Sequence, residues 1–318
     1  MELIRGIQNI RSKHYGCVAT IGNFDGVHLG HQAVLGQLAE KAAELNLPTA
    51  LITFEPQPME FFSPEKVPAR LTRFREKVIA LQRYSVDRVC ALSFNDKLAK
   101  LSAEKFIEQV LVEKLGVKYL VVGDDFRFGA KRLGTFDTLV AAGKKYGFQV
   151  VSMHTFEIDN ERVSSTRIRA ALQQGEMSQA EKLLGRRYRM SGRVAHGEKL
   201  GRELGFPTAN IHLHRHASPI QGIFVVEVFG LDELDFSETA QYKQPVQGVA
   251  SVGTRPTVNE TKALLEVFLL DFDQDIYGRH IQVSFLKKLR DEEKFDSLDE
   301  LIKQIQLDVE QAQAYFAV

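Results

Sequence analysis

An α/β domain built on a doubly wound parallel sheet, followed by a small antiparallel β-barrel with a terminal helix, is the architecture this sequence predicts. Three observations carry it. The chain has 318 residues, which at roughly 150 residues per domain suits two domains. From Cys17 to about Leu184 short apolar runs alternate with helical patterns, the texture of a parallel sheet with right-handed crossovers. After Arg186 β-branched and aromatic runs, separated by Gly, Pro and Asn, follow one another with no helical pattern until the end, as expected of a compact barrel. The junction is expected in GRRYRM, Gly185 to Met190, dividing the chain into residues 1–185 and 186–318.

In the first half CVATI (Cys17 to Ile21) reads as a strand. Val34, Leu35, Leu38, Ala42 and Leu45 then share one helix face that ends near Asn46 and Pro48. TALITF (Thr49 to Phe54) closes the first βαβ unit. The alternation continues with RVCAL (Arg88 to Leu92), a helix from about Ser102 to Leu115, YLVVG (Tyr119 to Gly123), a helix over Thr135 to Tyr146 and FQVVSM (Phe148 to Met153). In the second half the strands are YRMSGRVA (Tyr188 to Ala195), the TANI run at Thr208, GIFVVEVF (Gly222 to Phe229), PVQGVASV (Pro245 to Val252), LLEVFLLD (Leu264 to Asp271) and HIQVSFL (His280 to Leu286). Leu298, Leu301, Ile302, Ile305, Val309, Ala312 and Phe316 form the apolar stripe of a final helix that packs on the barrel.

Lys plus Arg total 41 and Asp plus Glu total 41, so the chain lacks the electrostatic footprint of a bulk nucleic-acid or anionic-membrane binder. Polyphosphate contacts must be local. Cys17 and Cys90 form no CxxC pair, and no apolar run approaches the roughly 18 residues of a membrane span. A cytoplasmic protein is expected.

TIGNFDGVHLGHQAV, Thr20 to Val34, sits where the first strand feeds the first helix. Ligands of doubly wound sheets bind beyond the carboxyl ends of the strands, and a helix N-terminus offers backbone N–H groups to phosphate. Gly22, Gly26 and Gly30 allow close approach, and His28 and His31 fall on neighbouring positions of the first turn, where both can hydrogen-bond phosphoryl oxygens. Two blander readings fit the same residues: a metal pair with Asp25 nearby but no obvious third strong ligand, or helix-capping histidines without chemistry.

HLGH is the HxGH signature of nucleotidylyltransferases. GNFDGVHLGHQ, VGDDFRFG (Val122 to Gly129) and SSTRIR (Ser164 to Arg169), in this order, resemble the FMN adenylyltransferase module of bacterial bifunctional riboflavin kinase/FAD synthetases. The resemblance implies that His28 and His31 hold the triphosphate of ATP while the FMN phosphate attacks the α-phosphorus. It places Gly22, Asn23, Phe24, Asp25, Gly26 and Gly30 in the nucleotide pocket, Asp125, Phe126 and Phe128 against the flavin, and Ser164, Ser165, Thr166, Arg167 and Arg169 on phosphate. Asp125 departs from the asparagine of some family members. An ionised carboxylate only accepts hydrogen bonds, so its role is open.

RVAHGEKLGRELGFPTANI, Arg193 to Ile211, resembles the riboflavin kinase module of the same family, and the likeness continues through QGIF, SVGTRPTV and KLRDEEKFDSLDEL. Strand alternation places Thr208 and Asn210 on one face. Their oxygens are hard ligands suited to Mg2+, and the resemblance assigns them to Mg-ATP, with Gly197, Lys199 and Gly201 in a loop over the phosphates. In LLEVFLL, Glu266 shares a face with Leu264, Phe268 and Leu270. Burial of a carboxylate among apolar groups moves it toward the range of a general base, although an edge-strand glutamate reaching solvent fits the pattern as well. The resemblance makes Glu266 the base for the riboflavin 5′-hydroxyl and puts Arg290 in a flavin-covering flap.

Together these likenesses imply ATP-dependent phosphorylation of riboflavin to FMN by the second half and adenylylation of FMN to FAD by the first. The expected partners are ATP, riboflavin and FMN, with Mg2+, and neither nucleic acid nor membrane. Self-association is left open. The alternatives are a nucleotidylyltransferase for another phosphate ester with an accessory barrel, and a non-catalytic flavin sensor.

Overall fold

The computed structural model describes residues 1–123, 125–153, 156–197, 201, 204–215, 217–231, 244–256 and 261–317. Chain contacts divide it into two compact units, Met1–Val67 with Phe74–Ser164, and Pro68–Arg73 with Ser165–Val318.

The first unit is a six-stranded parallel sheet in the order β1-β4-β3-β2-β5-β6. Its strands are β1 (Glu2–Arg5), β2 (Cys17–Ile21), β3 (Thr49–Glu55), β4 (Arg88–Ser93), β5 (Val117–Gly123) and β6 (Gln149–Met153). The edge strand β1, parallel to β4, lies in a segment whose sequence carries no strand pattern of its own. Alternation along the strands feeds two separate cores. Cys17, Ala19 and Ile21 face a cluster with Phe106, Leu111 and Leu120, whereas Val18 faces one with Leu35, Leu38 and Ala42. Covering both faces is what fills these strands with apolar residues.

Helix α1 (Leu29–Leu45) follows β2 and ends on left-handed Asn46. It is followed by α2 (Pro58–Phe62), α3 (Phe74–Leu81), α4 (Asp96–Ala99) and α5 (Ala103–Phe106). The helix expected over Ser102 to Leu115 is capped by Ser102 but runs as a π-helix over Ile107–Lys114, a variation that leaves no mark on the apolar periodicity. Helix α6 (Phe136–Tyr146) has the N-cap Thr135. A hairpin of β7 (Glu157–Ile158) and β8 (Glu161–Arg162) completes the unit.

The second unit begins with α7 (Ser165–Gln173) and α8 (Met177–Leu184). A closed antiparallel barrel follows, in the order β10-β13-β12-β11-β14-β9. Its strands are β9 (Tyr188–Ala195), β10 (Thr208–His212), β11 (Gly222–Phe229), β12 (Val246–Pro256), β13 (Thr261–Leu269) and β14 (His280–Arg290). Helix α9 (Leu298–Phe316), capped by Ser297, packs against β11 and β12. Pro68–Arg73 is a strap on this unit. The carbonyls of Ala69, Arg70 and Leu71 accept from Arg169, Arg215 and Tyr188 at 2.6, 2.6 and 3.1 Å. Arg73 donates to the carbonyl of Leu213 at 2.8 Å and to that of Ser191, and Leu71 is 0% exposed.

Candidate active sites

In the first unit the strand order reverses beside β2, because the chain leaves it for β3 on one side and later returns to β5 on the other. Such a switch point opens a crevice at the carboxyl ends of the strands. The turn leaving β2 is unusual: Phe24 and Val27 have φ of 49° and 43°, and Gly26 has φ of 86°. A β-branched residue in the left-handed region is strained, and such strain concentrates where a site demands it. The turn delivers His28 as the N-cap of α1, its Nδ1 accepting the backbone N–H of His31 at 3.3 Å. The two imidazoles stack at 3.6 Å between centroids, and Phe24 lies 4.7 Å from the His31 ring. His28 is 6% exposed. A Cβ on Gly30 would come within 3.2 Å of the His28 ring and 3.5 Å of the Val163 carbonyl, so glycine is what lets these parts approach.

In the second unit the site lies on the outer wall of the barrel, under α9. A cavity of about 280 Å³ is lined by Thr208, Asn210, Glu266, Ser251, Arg290 and Asp308, with Phe206, Phe268, Leu301 and Ile305 as apolar walls. Strand register sets its floor. Thr208 and Val249 both pair with Phe268, and Asn210 and Ser251 both pair with Glu266, so two side-chain rows cross three strands on the half-buried face. A Cβ on Gly197 would collide with the Asn210 amide, and one on Gly201 would collide with the Phe206 carbonyl and come within 3.3 Å of Thr208 Oγ1. Among the described residues no group of three or more His, Cys, Asp or Glu is disposed to hold a metal ion. The hard oxygens of Thr208 and Asn210, with space kept open by the two glycines, fit an ion shared with phosphate oxygens and water.

A family model for FAD synthetase matches residues 10–167, and one for riboflavin kinase matches residues 184–316. The chain is 50% identical over 316 residues to the bifunctional riboflavin kinase/FMN adenylyltransferase of Haemophilus influenzae, covering 99% of each protein. It belongs to the bifunctional riboflavin kinase/FMN adenylyltransferase family. The protein of that name from Escherichia coli K12 is likewise 50% identical, with 100% of this chain and 99% of the relative covered. The crystal structure of a macrolide-efflux protein from Streptococcus pneumoniae matches with a TM-score of 0.81 at 31% identity, over 98% of this chain and 99% of that one. No described helix here is long and apolar enough to cross a membrane.

Within this member of the family, the expected site residues are not all disposed alike. Gly22, Asn23, Asp25, Gly26, His28, Gly30 and His31 gather at the turn into α1, but Phe24 is buried in the core with Val18 and Leu35. Phe126 stacks on Phe128 with centroids 5.5 Å apart. Phe128 is a core residue that also meets Phe106 at 5.8 Å. Asp125 is paired with Arg162 at 2.8 Å, and this hydrogen bond holds its carboxyl below the ordinary range despite partial desolvation. Ser164 ends the first unit, while Ser165, Thr166, Arg167 and Arg169 open the second; Arg169 is tied to the strap through Ala69. Lys199 lies outside the described residues.

Glu266 sits on the barrel's outer wall. It is half-buried beside Leu264 and Phe268, while Ala263, Leu265, Val267 and Leu269 fill the other, buried face. Its apolar setting therefore comes from the cavity under α9. Motif reading passed over Ser251, although its pairing opposite Glu266 follows from alternation. It also passed over an aromatic cluster at the carboxyl ends of β3 and β4: Phe54, Phe61 and Phe62 surround Phe94 at 5.5–5.7 Å, and Phe62 is 62% exposed. Its signal is the run FEPQPMEFF, Phe54 to Phe62, at the end of a strand.

Proposed function

We propose that this chain makes FMN and then FAD, with the kinase chemistry in the barrel (residues 186–318) and the adenylyl transfer in the amino-terminal module (residues 1–185). One observation supports this most: each unit holds its own glycine-backed set of phosphate-directed side chains, Gly30 against His28 and Gly197 against Asn210. A phosphate ester acceptor other than FMN would leave the barrel's cavity, with its polar floor and apolar walls, without a task. A sensor would need no base in the Asn210–Glu266–Ser251 row.

In the barrel Glu266 accepts the proton of the riboflavin 5′-hydroxyl as that oxygen attacks the γ-phosphorus of ATP, and ADP leaves. Mg2+ bound by Thr208 and Asn210 would offset phosphate charge. The phosphate role of Gly197, Lys199 and Gly201 rests on the family motif. In the first unit an FMN phosphate oxygen attacks the α-phosphorus of ATP, and pyrophosphate leaves. Because His28 Nδ1 accepts the His31 amide, a neutral His28 carries its proton on Nε2 and donates it as a hydrogen bond to a phosphoryl oxygen. His31 stacks behind it, and the backbone at Gly22, Asn23, Asp25, Gly26 and Gly30 shapes the pocket. The phenylalanine cluster at Phe94, together with Phe126, offers apolar surface for the flavin ring. The phosphate role of Ser164, Ser165, Thr166 and Arg167 rests on the family motif, and a cytoplasmic setting on the thiol pair and composition.

The test uses the full chain with riboflavin and Mg-ATP, following FMN and FAD by chromatography. His28→Ala is expected to accumulate FMN without FAD. Glu266→Ala is expected to make no FMN, yet to convert supplied FMN to FAD. A wild-type protein that never forms FAD, or either variant losing both reactions while folded, overturns the reading.

A further inference from the structure

The barrel cavity has one feature that phosphate transfer leaves unused. Arg290, the last residue of β14, is held by Asp308 of α9 in a two-point ion pair: Nε donates to Oδ1 at 2.9 Å and Nη2 to Oδ2 at 2.8 Å. Asp308 is 3% exposed and also accepts from Gln304 at 3.0 Å, while Arg290 Nη1 donates to the Asp291 carbonyl at 3.0 Å. Phe295 lies 5.7 Å from the guanidinium carbon. Arg290, Phe295 and Asp308 all line the cavity that Glu266 enters.

As a stability device this arrangement is a poor choice. A desolvated ion pair on an otherwise apolar helix stripe does no better than hydrophobic residues of the same volume, because desolvation offsets the attraction. Its distinctive product is orientation: a bidentate carboxylate fixes the plane of a guanidinium as one hydrogen bond cannot. A fixed planar cation at the wall of an apolar slot suits a flat ring system, on whose face a guanidinium stacks or whose edge carbonyl and ring-nitrogen acceptors it can bond.

We propose that Asp308 is a positioning residue for the flavin. It sets the plane of Arg290 so that the guanidinium meets the ring of riboflavin, and it ties α9 to the site. This rests on the reading of the barrel as a riboflavin kinase.

The test is steady-state phosphorylation of riboflavin by full-length Asp308→Asn and Arg290→Lys, with riboflavin fluorescence quenching as the binding readout and thermal melting as the control. The Asp308→Asn protein keeps the side-chain volume and loses the second charged acceptor; the Arg290→Lys protein keeps the charge and loses the fork. Both variants are expected to raise the KM and Kd for riboflavin about tenfold, with kcat within about threefold and the KM for ATP within about twofold. The double variant is expected to be no worse than the more impaired single one, since the residues act as one unit. Riboflavin KM within about twofold of wild type in either folded variant overturns the proposal. So does an equal loss toward riboflavin and ATP that tracks a fall in melting temperature, which is the mark of a structural role. A wild-type chain that phosphorylates no riboflavin would instead strike the kinase reading on which the proposal rests.

Discussion

The two candidate sites place their polar side chains by opposite backbone means. In the first unit the histidines are placed by a strained turn and a helix cap: Phe24 and Val27 at positive φ, then His28 bonding the amide of His31. In the barrel the groups are placed by register alone, with Asn210, Glu266 and Ser251 paired across three strands. A cap site depends on a few dihedral angles in one short segment. A register site is held by every ladder bond of the strands around it, and it tolerates local change poorly only where a side chain fills the floor.

The sharpest test of this contrast is chemical. Glu266→Gln keeps the shape of the row and removes only the base, so kcat for FMN formation is expected to fall about 10²–10⁴-fold with little change in melting temperature, as read by rapid-quench assay and calorimetry. His28→Asn puts an amide oxygen where Nδ1 stands and so keeps an acceptor for the His31 amide, and the cap survives. The expected loss is confined to FAD formation from FMN. A Glu266→Gln protein that still phosphorylates riboflavin at near wild-type rate would move the base elsewhere in the cavity.

The glycines refine the comparison. At Gly197 an added methyl overlaps the Asn210 amide, whereas at Gly30 it would meet the His28 ring at 3.2 Å, where a ring tilt of a few tenths of an ångström relieves it. Gly197→Ala is therefore expected to raise the KM for ATP in FMN formation more than tenfold. Gly30→Ala should slow FAD formation only severalfold. The reverse ranking in matched kinetics would mean that the cap, and not the register row, is the stiffer scaffold.

How much of this was legible in the sequence follows the same division. Strand alternation predicted β9 and β11 to the residue, and placed Thr208 with Asn210 and Glu266 with Phe268, because period 2 is a property of the chain. It also implied that Glu266 points into apolar surroundings, but not that these lie outside the barrel, which depends on where α9 packs. The HxGH turn was visible as a motif, yet the positive φ of Val27 was not, since valine carries no local signal for it. Nor do motif residues declare their burial: Phe24 and Phe128 lie in the cores. The strap was hidden for another reason. VPARLTR has no periodicity, and its partners Arg169, Tyr188 and Arg215 lie about a hundred or more residues along the chain.

That strap belongs to the barrel unit. Leu71 is 0% exposed and its carbonyl holds the Tyr188 hydroxyl, so Leu71→Ala is expected to cost about 2–5 kcal/mol. The loss should fall on the barrel unit, with heat inactivation of FMN formation preceding that of FAD formation. Heat inactivation of both activities unchanged from wild type would show the strap to be a minor contact.

The cysteines report the complementary side. Cys17 and Cys90 are the chain's two cysteines, and both are buried in the parallel sheet. Burial pushes each thiol up to about 12, so at pH 8 the reactive thiolate is scarce even where reagent reaches it. Because the folded pKa is raised, the neutral thiols carry no penalty below the unfolded pKa of about 8.5. They destabilise the sheet only as the pH rises beyond it, when the unfolded chain ionises and the folded one does not. Native protein at pH 8 is expected to resist iodoacetamide, with labelling limited by opening of the first unit. Leu71→Ala should change that rate by no more than about twofold if the strap acts on the barrel unit. A large acceleration would mean that loosening the strap opens the sheet as well, and the two scaffolds would then share one cooperative transition.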